Sequence, residues 1–308
     1  MRYSEVLRER YEEMRLEKAA RDRGEDPRKF IRTGFKEFDK KAAIERSILT
    51  VVGAPTGEGK SIFKKHLQET AAGDGLKCLD LSFEDPPARS ADRTFSTLTG
   101  INNARMLMGC DERELARVGM ALADAEEWAD NIEYHYGLKR VEQAFDLMTS
   151  GEAYDLVQVD YAQAFPAAED KTLERTIADF AWSLSEWSQQ AGAAVVIYSQ
   201  LKPQVETRGV ERAEASRRFG KTQETDIEGF RPFGASDLAW AAALGTYAKG
   251  LGFLFRPNRY RRRYKENVRD DRMELIWPKK NFGSEGTVVV GFDGKTARLY
   301  DLAEKEAA

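Results

Sequence analysis

Eight consecutive residues, Ala54-Pro55-Thr56-Gly57-Glu58-Gly59-Lys60-Ser61, have the types and spacing needed to hold a chain of phosphates. Gly57 and Gly59 let backbone N–H groups turn inward where a Cβ would obstruct them. A helix opening near Gly59 would aim its positive end at the same point. Lys60 is placed to bridge the β- and γ-phosphates and the Ser61 hydroxyl to bind Mg²⁺, so the segment implies a nucleoside triphosphate, with ATP the expected one. It fits the P-loop pattern except at its first position, where Ala54 replaces glycine; Gly53 lies one residue too early to fill that place.

Such a site needs a second acid at the tip of another strand, to hold the metal through water. Asp160 ends Leu156-Val157-Gln158-Val159-Asp160 and fits, whereas the competing Asp80 lies inside its strand rather than at the tip. Glu84 follows Leu81-Ser82-Phe83 at the carboxyl end of the strand after the P-loop helix, where it could orient and deprotonate an attacking water. The alternative for Glu84 is an ordinary acid at a helix N-terminus.

The elements that must position these residues are legible as alternating short apolar runs and amphipathic helices. Ser47–Gly53 reads as a strand, Leu76–Phe83 as the next, with further strands at 131–136, 154–160 and 193–199. Helices are expected over 87–99 and 112–129 and along Leu138, Val141, Phe145 and Met148. The clearest runs from 172 to 191, where Leu173, Ile177, Phe180, Leu184, Trp187 and Ala191 step by three or four. Trp182 and Trp187 on that helix are assigned to core packing. After Leu201 a polar stretch reaches Ser236, far beyond ordinary loop length and therefore functional or mobile. Strands resume near 251–255, 273–277, 287–292 and 297–300. The expected fold is α/β: a P-loop core with a mostly parallel sheet between helices, closed by antiparallel strands at the C-terminal end. Residues 1–30 read as a helical arm and linker, 31–308 as the P-loop domain. The arm is charged, with Tyr3, Leu7, Tyr11 and Met14 on a thin apolar stripe; it is either a solvated helix on its own domain or an arm docking on a neighbouring subunit.

The chain has 308 residues, enough to bury about three quarters of its unfolded surface without a disulfide or metal staple. Cys78 and Cys110 lack metal-ligand spacing, and Cys78, in an apolar run, reads as a buried free thiol. His66, between Phe63 and Leu67, reads as a packed or surface histidine. The N-terminus carries charge from its second residue, and no apolar run approaches membrane-spanning length, so a cytoplasmic protein without a membrane partner is expected. Forty-eight basic against 52 acidic residues argue against a surface coated for nucleic acid, while leaving room for a local basic channel.

With these residues placed, the sequence from about Thr33 onward resembles the RecA-like motor domain of DnaB-type hexameric replicative helicases. Thr33-Gly34-Phe35 through Phe38-Asp39 resembles the family's entry segment, and Ser82-Phe83-Glu84 its catalytic-glutamate motif. Val159-Asp160-Tyr161-Ala162-Gln163 resembles the Walker B segment. Tyr198-Ser199-Gln200-Leu201 resembles the motif whose glutamine senses the γ-phosphate, and Asp237-Leu238 to Phe255-Arg256 a family helix-plus-strand block. The resemblance implies an ATP-driven helicase moving on single-stranded DNA during replication, ATP hydrolysed at the subunit interfaces of a homo-hexameric ring, and a primase or loader as partner.

Some positions depart from the family. Near Pro278-Lys279-Lys280-Asn281-Phe282-Gly283, Lys279 matches the lysine offered to the neighbouring subunit's ATP, but Asn281 stands where the arginine finger belongs. Lys280 or an arginine of the 259–263 cluster would have to substitute. Lys40-Lys41-Ala42-Ala43 replaces the usual paired glycines, and the family's large N-terminal domain is not in the chain. For DNA contact the candidates are Arg217, Arg218 and Lys221, the basic centre of a stretch, 206–236, with zero net charge; a disordered insertion is the plainer alternative. The run Arg256–Lys265 packs six cations and two tyrosines into ten residues and suits a subunit interface ahead of DNA, with a solvated hairpin as the plain alternative. The rival functions are a RecA/RadA-like recombination ATPase and a nucleotide-dependent scaffold or loader with weak turnover.

Overall fold

The structure, a computed structural model, describes residues 2–23, 30–41, 44–83, 85–150, 153–160, 172–218, 227–239, 241–263, 271–279 and 285–302. Its centre is β3 (Leu49–Ala54), every residue of which is buried. Leu49 and Val51 face one side of the sheet and Val52 and Ala54 the other, the period-two alternation of a strand covered on both faces. On one side lie α8 (Leu173–Ala191), α7 (Val141–Ser150) and α10 (Ala241–Tyr247), through Ile177, Phe180, Leu184, Met148 and Leu244. On the other lies α3 (Lys60–Gly73), with Phe63, Leu67 and Ala71 one turn apart.

β3 pairs in parallel with β7 (Ala194–Gln200) on one edge and β8 (Gly250–Phe255) on the other. Beyond β7 come β6 (Leu156–Asp160), β4 (Cys78–Ser82) and β5 (Ile132–Tyr136), all parallel. Beyond β8, the strands β9 (Arg272–Lys279), β10 (Gly286–Asp293) and β11 (Arg298–Tyr300) continue antiparallel. The full order is β11-β10-β9-β8-β3-β7-β6-β4-β5, the mostly parallel sheet with antiparallel closure expected from the sequence. A two-stranded ladder, β1 (Phe30–Ile31) with β2 (Ile44–Glu45), flanks α2 (Lys36–Asp39). Between β4 and β5 lie α4 (Pro87–Thr99), α5 (Asn103–Met108) and α6 (Glu112–Ala129). α6 opens on a reciprocal capping box between Asp111 and Glu114. The N-terminal helix α1 (Tyr3–Asp22) leaves Tyr3, Leu7, Tyr11 and Met14 exposed. Among the described residues no helix is long and apolar enough to cross a membrane.

Three expectations need correction. The polar stretch after Leu201 is not a long loop: Pro203–Arg218 forms a helix, α9. Its buried stripe is Val205, Gly209 and Ala213, and a Cβ on Gly209 would collide with the Phe230 ring. Small residues let that ring approach closely, and they give almost no apolar signal in the sequence. Likewise Pro257–Arg263, entertained as a hairpin, is a helix, α11, with Pro257 as its first residue, where a missing N–H costs nothing. Trp182 is 53% exposed and outside the core, whereas Trp187 packs against it. Cys78 is buried as expected, its thiol pushed up to about 12 by burial and by the Asp155 and Asp80 charges.

His66, on α3, stacks on Phe35 with ring centroids 4.5 Å apart and its Nε2–H donates to the Thr33 carbonyl at 2.7 Å. Burial, with the Lys65 and Arg298 charges, lowers its pKa to about 4 against the opposing hydrogen bond to Thr33. The folded state therefore binds fewer protons than the unfolded chain below about pH 6.5, and stability is lost as pH falls from there toward 4. The expected loss from this group between pH 7 and 5 is about 1–2 kcal/mol. Urea titrations of the wild type and His66→Gln, which keeps an N–H donor, should differ in pH slope by that amount.

Candidate functional site

The strand-to-helix turn after β3 makes one wall of a cleft of about 410 Å³ lined by Thr56, Gly57, Gly59, Lys60, Ser61, Ile62, Arg93, Asp160, Gln200, Arg256, Phe292 and Gly294. The cleft lies outside the carboxyl ends of β3, β6 and β7, where parallel α/β sheets place their ligands. Gly57 and Gly59 both have left-handed backbones, at φ +77° and +101°. Gly59 caps α3, and a Cβ there would lie 2.9 Å from Met273 and from the Phe292 ring. Glycine is thus required at 59 by conformation and by space. The arrangement aims the first turn of a 14-residue helix into the cleft.

Of the P-loop residues, Thr56, Gly57, Gly59, Lys60 and Ser61 line the cleft. Lys60 is folded along the loop, its Nζ donating to the carbonyls of Ala54 at 2.9 Å and Pro55 at 3.3 Å. The exception in chemistry is Glu58, which has no exposed surface and points away from the cleft. It accepts from the Arg256 backbone N–H at 3.0 Å and from the Arg259 guanidinium at 3.0 Å, and Tyr260 donates to it. Arg259 also donates to the Thr56 carbonyl at 2.7 Å. Burial raises the Glu58 pKa, with Arg259 and Arg256 opposing the shift, and burial beside Glu58 raises that of Tyr260. A clamp from α11 therefore holds the loop from outside. The Arg256 guanidinium lies over the Phe292 ring at 3.8 Å and pairs with Asp271. Two cations of the run read as a subunit-interface segment are thus engaged with the chain's own P-loop.

The tips of the parallel strands supply the opposite wall. Asp160 ends β6 and Gln200 ends β7, beside Ala54 in the ladder. Asp80 lies inside β4, 1% exposed, and is absent from the cleft lining. Asp85 receives the Arg93 guanidinium and a hydrogen bond from Ser61. Burial works against its charge, but Arg93 outweighs burial and lowers its pKa. Glu84 lies outside the described residues, as do Lys221 and Asn281, and for Arg217 and Arg218 only the helical backbone of α9 is described. Lys279, at the end of β9, donates to the Ala248 carbonyl at 2.8 Å and does not line the cleft.

Behind Asp160 is a group the motif reading missed. Lys64, one turn after Lys60, is 3% exposed, with Nζ 2.8 Å from Asp80, 3.3 Å from the Ser82 hydroxyl and 3.5 Å from Asp160. Burial opposes its charge, but Asp80 and Asp160 outweigh burial and hold the ammonium above its usual range. Burial pushes the Asp80 carboxyl up, with Lys64 opposing. A lysine on the apolar stripe of a helix and an aspartate inside an apolar strand are the signal that would have found this pair, since two buried charges at core positions must meet.

Residues 31–301 match the family model described as DnaB-like helicase C terminal domain. Among curated proteins the chain is similar to the replicative DNA helicase DnaB of Pasteurella multocida, 26% identical over 303 residues, covering 94% of this chain and 59% of that protein. It is similar too to that of Haemophilus influenzae, 26% identical over 287 residues, covering 89% and 56%. The chain thus spans little more than half the length of these relatives. Among solved structures, a DnaB-like replicative helicase described with its primase interactions superposes with a TM-score of 0.72 at 21% identity over 88% of this chain and 62% of that one. A structure described as an ATPase domain gives 0.75 at 20% over 98% and 99%. The RadB recombinase gives 0.53 at 13% over 89% and 100%. At these identities the structural likenesses establish the RecA-like ATPase fold.

The buried ion pair has a measurable consequence. Lys64→Met alone leaves two carboxylates without their counter-ion and should cost about 3–5 kcal/mol in urea unfolding, while Lys64→Met with Asp80→Leu should return most of that loss.

Proposed function

Because the chain belongs to the DnaB-like helicase C-terminal domain family, we propose that it is an ATP-dependent DNA helicase motor that translocates on single-stranded DNA during replication. Residues 31–308 are the motor and 1–30 an arm and linker. The observation that carries this reading is the convergence of Lys60, Ser61, Asp160 and Gln200 on one cleft at the carboxyl end of a parallel sheet.

The residues present fit a nucleoside triphosphate. The left-handed glycines free the loop amides, the α3 N-terminus points into the cleft, and Lys60 offers a cation beside it. They also suit Mg²⁺: Ser61 and Asp160 are hard oxygen donors on the same cleft, and among the described residues no cluster of three His, Cys, Asp or Glu favours a softer metal. Mg²⁺ would supply charge neutralisation to the phosphates. The loop from Ala54 to Ser61 binds the phosphates through the residues that line the cleft, Thr56, Gly57, Gly59, Lys60 and Ser61, with Lys60 across the β- and γ-groups. Glu84 orients the attacking water and accepts its proton. Gln200 senses the γ-phosphate and passes its state along the chain to α9, whose end carries Arg217 and Arg218, with Lys221 just beyond, as DNA-backbone contacts. Lys279 is offered to the ATP of a neighbouring subunit in a hexameric ring working in the cytoplasm. A primase is a fitting partner, because a fold neighbour is described with one. With Asn281 in the family's arginine position, turnover is expected to be slow unless another cation serves.

ATP hydrolysis measured with and without single-stranded DNA, while assembly is followed by light scattering, tests this. Stimulation by DNA that is lost in Glu84→Gln and Lys60→Ala is the expected outcome, with a loss of about 10²-fold or more. Tight ATP binding by an assembled protein without stimulated turnover would instead favour a nucleotide-dependent scaffold or loader. Filaments on DNA without strand separation would favour a recombination ATPase.

A further inference from the structure

The buried cluster behind the cleft contains one cation and two anions. Lys64 reaches Asp80, Ser82 and Asp160 with three N–H groups, and Asp160 is the most distant of the three, at ion-pair range only. The ammonium does not line the cleft, so it meets Asp160 from the interior while the same carboxylate faces the cleft. Its helix is fixed: the Gln158 amide donates to the Lys64 carbonyl at 3.0 Å, and the Tyr198 hydroxyl donates to Gln158 at 2.6 Å. Asp80 Oδ2 is buried and makes no hydrogen bond to the described residues. A buried carboxylate oxygen without a donor is costly, and here it lies on the residue closest to the ammonium. The cluster therefore holds a spare acceptor within one side-chain adjustment of a cation whose third contact is long.

We propose that Lys64 is a resident counter-ion for Asp160 that competes with the divalent cation, and that Asp80 sets the strength of that competition by drawing the ammonium back. This rests on Asp160 being the metal-holding carboxylate. A cation brought to Asp160 raises the positive charge beside Lys64, and the ammonium turns toward the free oxygen of Asp80. The fold thereby keeps Asp160 paired and oriented in the absence of metal, at the expense of metal affinity. Lys64 and Asp80 are positioning residues; neither lines the cleft.

Opposite shifts in two variants distinguish this role from a merely structural one. Asp80→Asn leaves Lys64 with Asp160 as its one carboxylate partner among the described residues, and should raise the Mg²⁺ concentration that half-saturates binding. Lys64→Met with Asp80→Leu removes the competitor and should lower it, each by about threefold or more. The measurement is Mg²⁺ titration of the full chain bound to a fluorescent, non-hydrolysable ATP analogue, read by fluorescence without turnover, after thermal melts confirm folding. Asp160→Asn is the control and should abolish most of the Mg²⁺ dependence. Shifts of both folded variants in one direction, or none while Asp160→Asn acts as expected, overturn the proposal. If one variant fails to fold, the sign of the other decides. An unchanged Mg²⁺ dependence in Asp160→Asn overturns the metal assignment itself, a separate failure from that of Lys64.

Discussion

A loop can hold phosphates with its backbone only if its N–H groups point inward and stay there, and most of this structure serves that constraint. An unsupported glycine-rich turn would lose its shape to conformational entropy. Here its two ends are fixed by β3, hydrogen-bonded on both edges, and by α3, packed through Phe63, Leu67 and Ala71. Its outer side is fixed by Glu58, a carboxylate removed from solvent and held by Arg259, Tyr260 and the Arg256 backbone. Breaking one partner of such a buried group costs more than forming it contributes, so the clamp resists loosening rather than adding much stability.

The clamp also ties the loop to a distant part of the fold. Tyr260 stacks on Phe230 with centroids 4.5 Å apart, and Phe230 covers Gly209 of α9. Arg208, on the same helix, pairs with Asp237 and donates to the Gly229 and Arg231 carbonyls. A rigid set of packed rings and charge-assisted hydrogen bonds thus joins the P-loop to the helix that follows Gln200. In the proposed reading this is a second mechanical connection between nucleotide and DNA, parallel to the one through Gln200 itself.

Charges inside the fold are arranged about the strand tips. Arg93 and Ser61 meet Asp85 on one side of the cleft, and Lys64 lies between Asp80 and Asp160 beneath it. These three acids each have a cation of the same chain, and electrostatics there depends on pairing rather than on the mildly acidic surface as a whole.

Local pattern alone determined much of this protein. β-branched runs, four-residue apolar steps and glycine punctuation located nearly all the strands and the long helices, because those signals reflect the backbone's own geometry and one buried face. The P-loop was legible for the same reason: glycines and a lysine at fixed spacing serve contacts within eight residues. The helix α9 escaped because its buried face is Val205, Gly209 and Ala213, whose small size matters only once Phe230 lies against it. That Asp160 ends its strand and Asp80 lies inside one was legible too, but that the tips of β6 and β7 share a cleft with the P-loop depended on the strand order. Arg93, Arg256 and Phe292 join the cleft from elements far apart in the chain, and Lys64 becomes the neighbour of Asp160 only when α3 packs across β4 and β6. Those placements are long-range contacts, and spacing along a chain carries no record of distance through space.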